Sequence, residues 1–282
     1  NIASHLPRMA QDQPHKRAVV VPVGRSSEGR VTWSHLTFSE LDEASDRYAQ
    51  GLEKIGIRRG VRTVLMVRPS LEFFSLVFAL YKVGAVLVLI DPGIGSRSLK
   101  QCLREVEPEA FIGVSLAHVA RIVFGRALGS VRINVTVGPR WFWGGPRLRD
   151  IKEVGPYRRY EMVRPEPSDV AAVLFTSGST GVPKGAVYTH GMFDAQVRAL
   201  RKVYRFDSDE IDLATFPLFA LFDPALGMTS VIPDMDARKP GSADPAKIVE
   251  AIQSQGCTNM FASPALLRNL GRYGEETGVQ LG

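Results

Sequence analysis

Residues Leu174–Gly185 read LFTSGSTGVPKG. Beyond Thr176, six of these twelve residues are Gly, Ser or Thr, and Lys184 stands next to the end. Such a stretch cannot fill a core. The run just before it, VAAVLFT (Val170–Thr176), is apolar and reads as a buried strand. A glycine-rich loop after a strand is where α/β proteins place ligands. Glycine lets backbone N–H groups approach an oxyanion closely, and hydroxyls add donors. Lys184 adds a positive charge. Phosphate binding is one reading; a solvent loop that uses glycine for flexibility is the other. Two further readings fail on spacing. A Walker A loop needs Gly-Lys-Ser/Thr at its end, whereas Lys184 follows Pro183 and precedes Gly185. A nucleophile elbow needs G-x-S-x-G, whereas Ser179 sits in Gly-Ser-Thr-Gly.

Working outward, strands and helices alternate. After the loop come a short strand at Ala186–Tyr188 and a helix over Met192–Tyr204. Before it, a helix is expected over Ser39–Ile55, where Leu41, Ala44, Tyr48, Leu52 and Ile55 share one face. Ser39 and Asp42 resemble a capping box at its start. Strands follow at Val61–Val67 and Val86–Ile90, with a helix over Ser70–Val83 between them and a turn at Asp91-Pro92-Gly93. A helix over Arg97–Val106 and strands at Ala110–Val114 and Val131–Val137 complete the first part. From about Gly138 to Pro167 the pattern weakens into a surface excursion. A helix at Pro245–Gln255 and a strand at Thr258–Phe261 come later. This alternation predicts an α/β fold with parallel sheets covered on both faces.

Composition sets the outer bounds. The 282 residues are 45% hydrophobic and 23% charged, enough for a large core. Two isolated cysteines, Cys102 and Cys257, make no disulfide framework and point to a reducing, cytoplasmic setting. Five scattered histidines show no metal-ligand spacing. The formal charge of +6 is carried by dispersed arginines, which read as a solvated surface. No basic stretch interleaves with aromatics, so no nucleic-acid module is expected. No apolar run reaches membrane-spanning length.

TSGSTGVPKG resembles the phosphate-binding signature of the AMP-forming adenylating enzymes, the superfamily of acyl-CoA synthetases, peptide-synthetase adenylation domains and luciferases. LTFSELD (Leu36–Asp42), YKVGAVLVLIDPG (Tyr81–Gly93), the Thr189-His190-Gly191 continuation and FDPAL (Phe222–Leu226) resemble other family segments in order. Within the superfamily the wording is most similar to the β-lactone synthetases of bacterial long-chain olefin biosynthesis. VRPSLEFFSLVFALYKVGAV, EAFIG, FWGG and FPLFALFDPALGMTSVIPDMD carry that similarity.

The resemblance implies the large N-terminal domain of an adenylate-forming enzyme, with two packed, mainly parallel sheets flanked by helices. A first lobe is expected over about residues 1–165, and a second over about 166–282 with the phosphate loop. Family members continue into an adenine site, a ribose-binding aspartate and a mobile lid with the main catalytic lysine, all expected beyond Gly282. The present stretch alone is therefore expected to be inactive. The implied reaction joins a long-chain β-hydroxy fatty acid to the α-phosphate of ATP, with Mg2+ bridging phosphate oxygens. The β-hydroxyl then closes on the activated carbonyl to give a β-lactone.

Thr176, Ser177, Gly178, Ser179, Thr180 and Gly181 are assigned to the ATP phosphates. Lys184 assists by charge or holds the loop exit. The resemblance gives no metal ligand in this stretch. Phe219, Ala220, Phe222 and Asp223 are assigned to the substrate pocket. Many acyl-CoA synthetases carry histidine where Ala220 stands, which counts against an ordinary CoA ligase. Asp223 occupies the position of an amine-holding aspartate in amino-acid-activating relatives. It either accepts a hydrogen bond from a substrate hydroxyl or caps the helix ahead of Pro224. Phe216, Leu221, Leu226 and Met228 read as core or as an alkyl channel. His190 reads as a structural hydrogen-bonding group in preference to a general base. Other olefin-pathway enzymes, a β-lactone decarboxylase and a keto-acid reductase, are the implied protein partners. Two alternatives stay open: a fatty-acyl-CoA ligase or acyl-AMP ligase, and a non-catalytic nucleotide-binding or scaffold module.

Overall fold

The computed structural model describes residues 1–90, 94–176, 184–216, 219–236 and 239–281. Strands are β1 (Arg17–Arg25), β2 (Val31–Thr37), β3 (Arg62–Met66), β4 (Val86–Ile90), β5 (Ala110–Val114), β6 (Ile133–Val137), β7 (Val170–Thr176), β8 (Lys184–Thr189), β9 (Ile211–Ala214), β10 (Thr229–Val231) and β11 (Asn259–Phe261). Helices are α1 (His5–Asp12), α2 (Phe38–Lys54), α3 (Leu71–Lys82), α4 (Ser96–Val106), α5 (Ser115–Phe124), α6 (Leu148–Ile151), α7 (His190–Tyr204), α8 (Asp223–Leu226), α9 (Pro245–Gln255) and α10 (Pro264–Thr277). The chain forms two compact units that are interleaved along the sequence.

One unit comprises Asn1–Ser4, Asp42–Arg68 and Ser75–Gln196. Its sheet has the order β6-β5-β3-β4-β7-β8, parallel throughout except for the β7-β8 pair. The central strands are continuous apolar runs because both faces are covered. On one face, Leu99, Cys102, Leu103 and Val106 of α4, spaced for a single helical stripe, pack on Val64, Val88, Phe111 and Phe175. At the β6 edge, Trp143 donates from Nε1 to Thr136 Oγ1 (2.9 Å) and stacks on the buried His118 (5.2 Å between centroids). Gly145, at φ 96°, follows in the same turn; a Cβ there would stand 2.3 Å from the Asn134 carbonyl oxygen. The FWGG segment thus packs a sheet edge.

The same unit holds a buried ionic cluster. Lys82 Nζ, on a side chain 1% exposed, lies 2.6 Å from Asp42 Oδ1 and 2.5 Å from Asp46 Oδ1, and donates to the Asp42 carbonyl at 3.1 Å. Tyr157 donates to Asp46 Oδ2 at 2.7 Å. Asp42 is therefore an ion-pair residue and not a capping residue. The capping box of α2 lies two positions earlier. Glu40 Oε2 accepts from Thr37 N and Oγ1, and Glu40 N donates to Thr37 Oγ1. These bonds hold the Glu40 carboxyl below its usual range.

The other unit comprises His5–Leu41, Pro69–Phe74 and Val197–Gly282. Its sheet runs β11-β9-β10-β1-β2, parallel except for the β1-β2 hairpin. Leu213, Val231 and Val20 are neighbours in register and point to one face. There they meet Ile248 and Ala251 of α9 and Leu266 of α10. One residue earlier in each strand, Asp212, Ser230 and Val19 are also in register, so they point to the opposite face. On that side α8 packs against β10 and β1, and α1 packs against α8.

Candidate functional site

The glycine-rich loop is carried by a hairpin. Thr176 ends β7 and Lys184 begins β8, and the two are paired across the ladder. Lys184 and Gly185 are exposed. A Cβ on Gly185 would stand 2.9 Å from the Phe175 ring, so this glycine is fixed by packing and is not free for the loop. Ser177, Gly178, Ser179, Thr180 and Gly181 lie outside the described residues, as do Pro183 and the Asp91-Pro92-Gly93 turn; nor is the Thr176 side chain among what is described. The hairpin brings the ends of a Gly/Ser/Thr-rich segment together beside an exposed lysine. That donor set fits a polyphosphate.

The pocket segment sits in the other unit. Ala220 is wholly buried within a 3-10 turn at Phe219–Leu221. Pro217, Leu218 and the Phe219 side chain are outside the described residues. Leu221, Phe222, Leu226 and Met228 are buried, while Phe216 is exposed. Asp223 is the first residue of α8 and is 6% exposed. The helix N-cap is Phe222, with no side-chain capping bond, so Asp223 does not cap this helix. Burial raises its carboxyl well above the usual range, and the charge of Asp212 raises it further. Asp212 is 4% exposed, and burial pushes its own carboxyl up to about 6. Asp223 Oδ2 and Ser230 Oγ are buried without hydrogen-bond partners among the described residues. Asp212 and Ser230 are functional candidates that the sequence reading missed. The available signal was a lone acid inside the short apolar run IDLA.

His190 opens α7, is 2% exposed and meets Tyr81 edge-on at 6.3 Å. Its Nδ1 has no partner among the described residues. Burial pushes the imidazole down to about 4, so it is neutral at pH 7. Cys102 and Cys257 are free thiols, pushed up by burial to about 11 and about 12. Neither is poised as a nucleophile. Among the described residues, no group of three or more His, Cys, Asp or Glu side chains could hold a metal ion, and no helix is long and apolar enough to cross a membrane.

A family model described as AMP-binding enzyme matches residues 6–281. The chain belongs to the AMP-binding enzyme family. It is 51% identical to the olefin beta-lactone synthetase of Xanthomonas campestris pv. campestris, over 98% of the chain and 50% of that protein. Identity to the olefin beta-lactone synthetase of Stenotrophomonas maltophilia is also 51%, over 97% of the chain and 50% of that protein. The chain thus spans about half the length of these relatives. Among solved structures, a long-chain-fatty-acid-CoA ligase from Archaeoglobus fulgidus superposes with a TM-score of 0.82 at 22% identity, covering 98% of this chain and 54% of that one. At that identity the likeness concerns the fold, and it agrees with the α/β architecture of two mainly parallel sheets.

Proposed function

We propose that the protein activates a long-chain β-hydroxy fatty acid with ATP and closes the acyl-adenylate to a β-lactone. The observation that carries this reading is the 51% identity, across nearly the whole chain, to two olefin beta-lactone synthetases. In the first step a carboxylate oxygen bonds to the α-phosphorus and pyrophosphate leaves. Two anions must meet, so the site has to supply positive charge and oriented donors. Lys184 and the Thr176–Gly181 backbone and hydroxyls are the proposed source. Mg2+, when bound, would supply further positive charge to offset that of the phosphates, with no ligand for it assigned among the described residues.

In the second step the β-hydroxyl oxygen bonds to the acyl carbonyl carbon, its proton leaves, and the bond to AMP breaks. Tethering nucleophile and electrophile in one molecule lowers the entropic cost of this closure. Ala220 supports the choice against a CoA ligase, because it carries no imidazole at that position. Asp223, buried with one oxygen unpaired among the described residues, supports a polar contact inside an otherwise apolar segment. An acyl-CoA ligase shares the first step and differs in needing a thiol for the second.

The test is AMP release by the intact enzyme with ATP, Mg2+ and a β-hydroxy fatty acid, with and without coenzyme A. Turnover that does not depend on the thiol supports lactone formation. Turnover only with the thiol would assign the protein to the CoA ligases. The decarboxylase and reductase of the olefin pathway are the proposed partners, and the cytoplasm the proposed compartment.

A further inference from the structure

Asp212 and Asp223 come from different elements, the strand β9 and the helix α8, and meet inside one unit with Ser230 of β10 beside them. Neither has a salt-bridge partner among the described residues. Three cations on neighbouring elements bond to other groups. Lys16 donates to the Gly227 carbonyl (2.8 Å), Arg201 to the Ala225 carbonyl (3.4 Å) and Arg17 to Gln255 (2.8 Å). On the β11 side, Asp212 accepts from the Phe261 backbone N–H and lies near the Cys257 thiol, which its charge helps to raise. Two carboxylates buried together without a cation cannot both ionise at neutral pH. One proton held between them relieves the repulsion and leaves a single negative charge on the pair.

A carboxyl pair that only filled space would be replaced by apolar side chains at no loss. Here one member, Asp223, belongs to the segment assigned to the substrate, and although the Ser230 hydroxyl lies near enough to draw its carboxyl down, Asp223 Oδ2 and Ser230 Oγ have no hydrogen-bond partner within bonding geometry among the described residues. An unpaired buried acceptor carries its desolvation cost until a donor arrives. A hydroxyl is such a donor. Oδ2 has no solvent exposure, so the side chains covering it must move aside for a hydroxyl to reach it. We infer that Asp212 is a positioning residue: it shares one proton with Asp223 and so keeps Asp223 Oδ2 free to accept a hydrogen bond from the β-hydroxyl of the acid. This rests on the proposed β-hydroxy acid reading and extends it to a residue with no direct substrate contact.

The experiment compares KM and kcat for adenylation by the intact enzyme, with a β-hydroxy fatty acid and its unhydroxylated match, from pH 5 to pH 8. The variants are Asp212→Asn, Asp212→Leu and Asp223→Asn. In the unmodified enzyme the preference for the hydroxylated acid should fall as pH drops through about 6, when the pair takes up its second proton. Asp212→Leu should lose the preference by roughly tenfold or more, mainly in KM. Asp212→Asn keeps an oxygen that accepts from the protonated Asp223, so it should restore the preference and flatten its fall at low pH. If the leucine variant does not fold, the asparagine variant carries the test. An Asp212→Leu enzyme, or an Asp212→Asn enzyme, with unchanged preference and unchanged pH profile would overturn the inference. If Asp223→Asn abolishes the preference in that case, the hydroxyl reading survives and only the role of Asp212 fails. If Asp223→Asn changes nothing either, the hydroxyl contact itself is refuted.

Discussion

Replacing Lys82 by methionine keeps the volume and removes the cation from between two buried carboxylates. The ammonium sits 2.6 Å from Asp42 and 2.5 Å from Asp46, with side-chain exposures of 1%, 10% and 2% for Lys82, Asp42 and Asp46. At an effective dielectric of about 20 each contact is worth roughly 6 kcal/mol of gross attraction, most of it offset by desolvation. Removing one partner forfeits the attraction and keeps the desolvation, which typically costs about 3–5 kcal/mol. That is a large fraction of the roughly 5–15 kcal/mol that holds a domain folded.

The loss should depend on pH. Burial already raises the Asp42 carboxyl while Lys82 opposes that rise. Without Lys82 the folded-state value climbs further above the unfolded one. A raised carboxyl contributes stability in acid and loses it as pH rises, so the variant's deficit should be largest at neutral pH and shrink toward pH 4. Urea unfolding followed through the fluorescence of the buried Trp143, in the same unit, measures it. The triple variant Lys82→Met, Asp42→Asn, Asp46→Asn should recover most of the loss, because no unpaired charge remains. A Lys82→Met deficit below about 1 kcal/mol at pH 7, within the range of exposed pairs, would refute this reasoning.

Lys184→Ala in the intact enzyme should slow the pyrophosphate-releasing step by roughly 1–3 kcal/mol in barrier while leaving fatty-acid affinity unchanged. An unaltered single-turnover rate would make the lysine structural. Asp223→Ala should reduce adenylation of β-hydroxy acids by roughly tenfold or more and spare unhydroxylated ones; equal loss on both, read in parallel assays, contradicts the contact. His190 has a folded-state value depressed to about 4, so its contribution to stability is complete above its usual value of 6.5 and is lost as pH falls toward 4. His190→Phe should flatten that part of the melting-temperature profile, and an unchanged slope would show that the imidazole is not buried as described.

Much of the first unit was legible because its strands are long apolar runs. VLVLI and AFIGV match β4 and β5 to the residue, and the stripe of Leu99, Leu103 and Val106 marks α4. The second unit was harder to read. β9 and β10 have four and three residues, too few for a period to show. In β1, Pro22 sits beside a register shift and interrupts the strand pattern. The capping box was displaced because Ser39 and Asp42 have suitable side chains but Thr37 and Glu40 make the bonds. At the site, FDPAL drew attention to Asp223, but nothing local distinguishes a capping acid from a buried one. Its partner Asp212 is eleven residues earlier on a strand, and only the folded sheet places the two together.

The central claim is the product. Incubating the intact enzyme with ATP, Mg2+ and a β-hydroxy fatty acid, with no thiol present, and identifying the extracted lipid by mass spectrometry tests it directly. The account predicts a species lighter than the acid by one water, a β-lactone, formed in step with AMP and pyrophosphate. Recovery of unchanged acid without thiol, with a thioester appearing once coenzyme A is added, would contradict it.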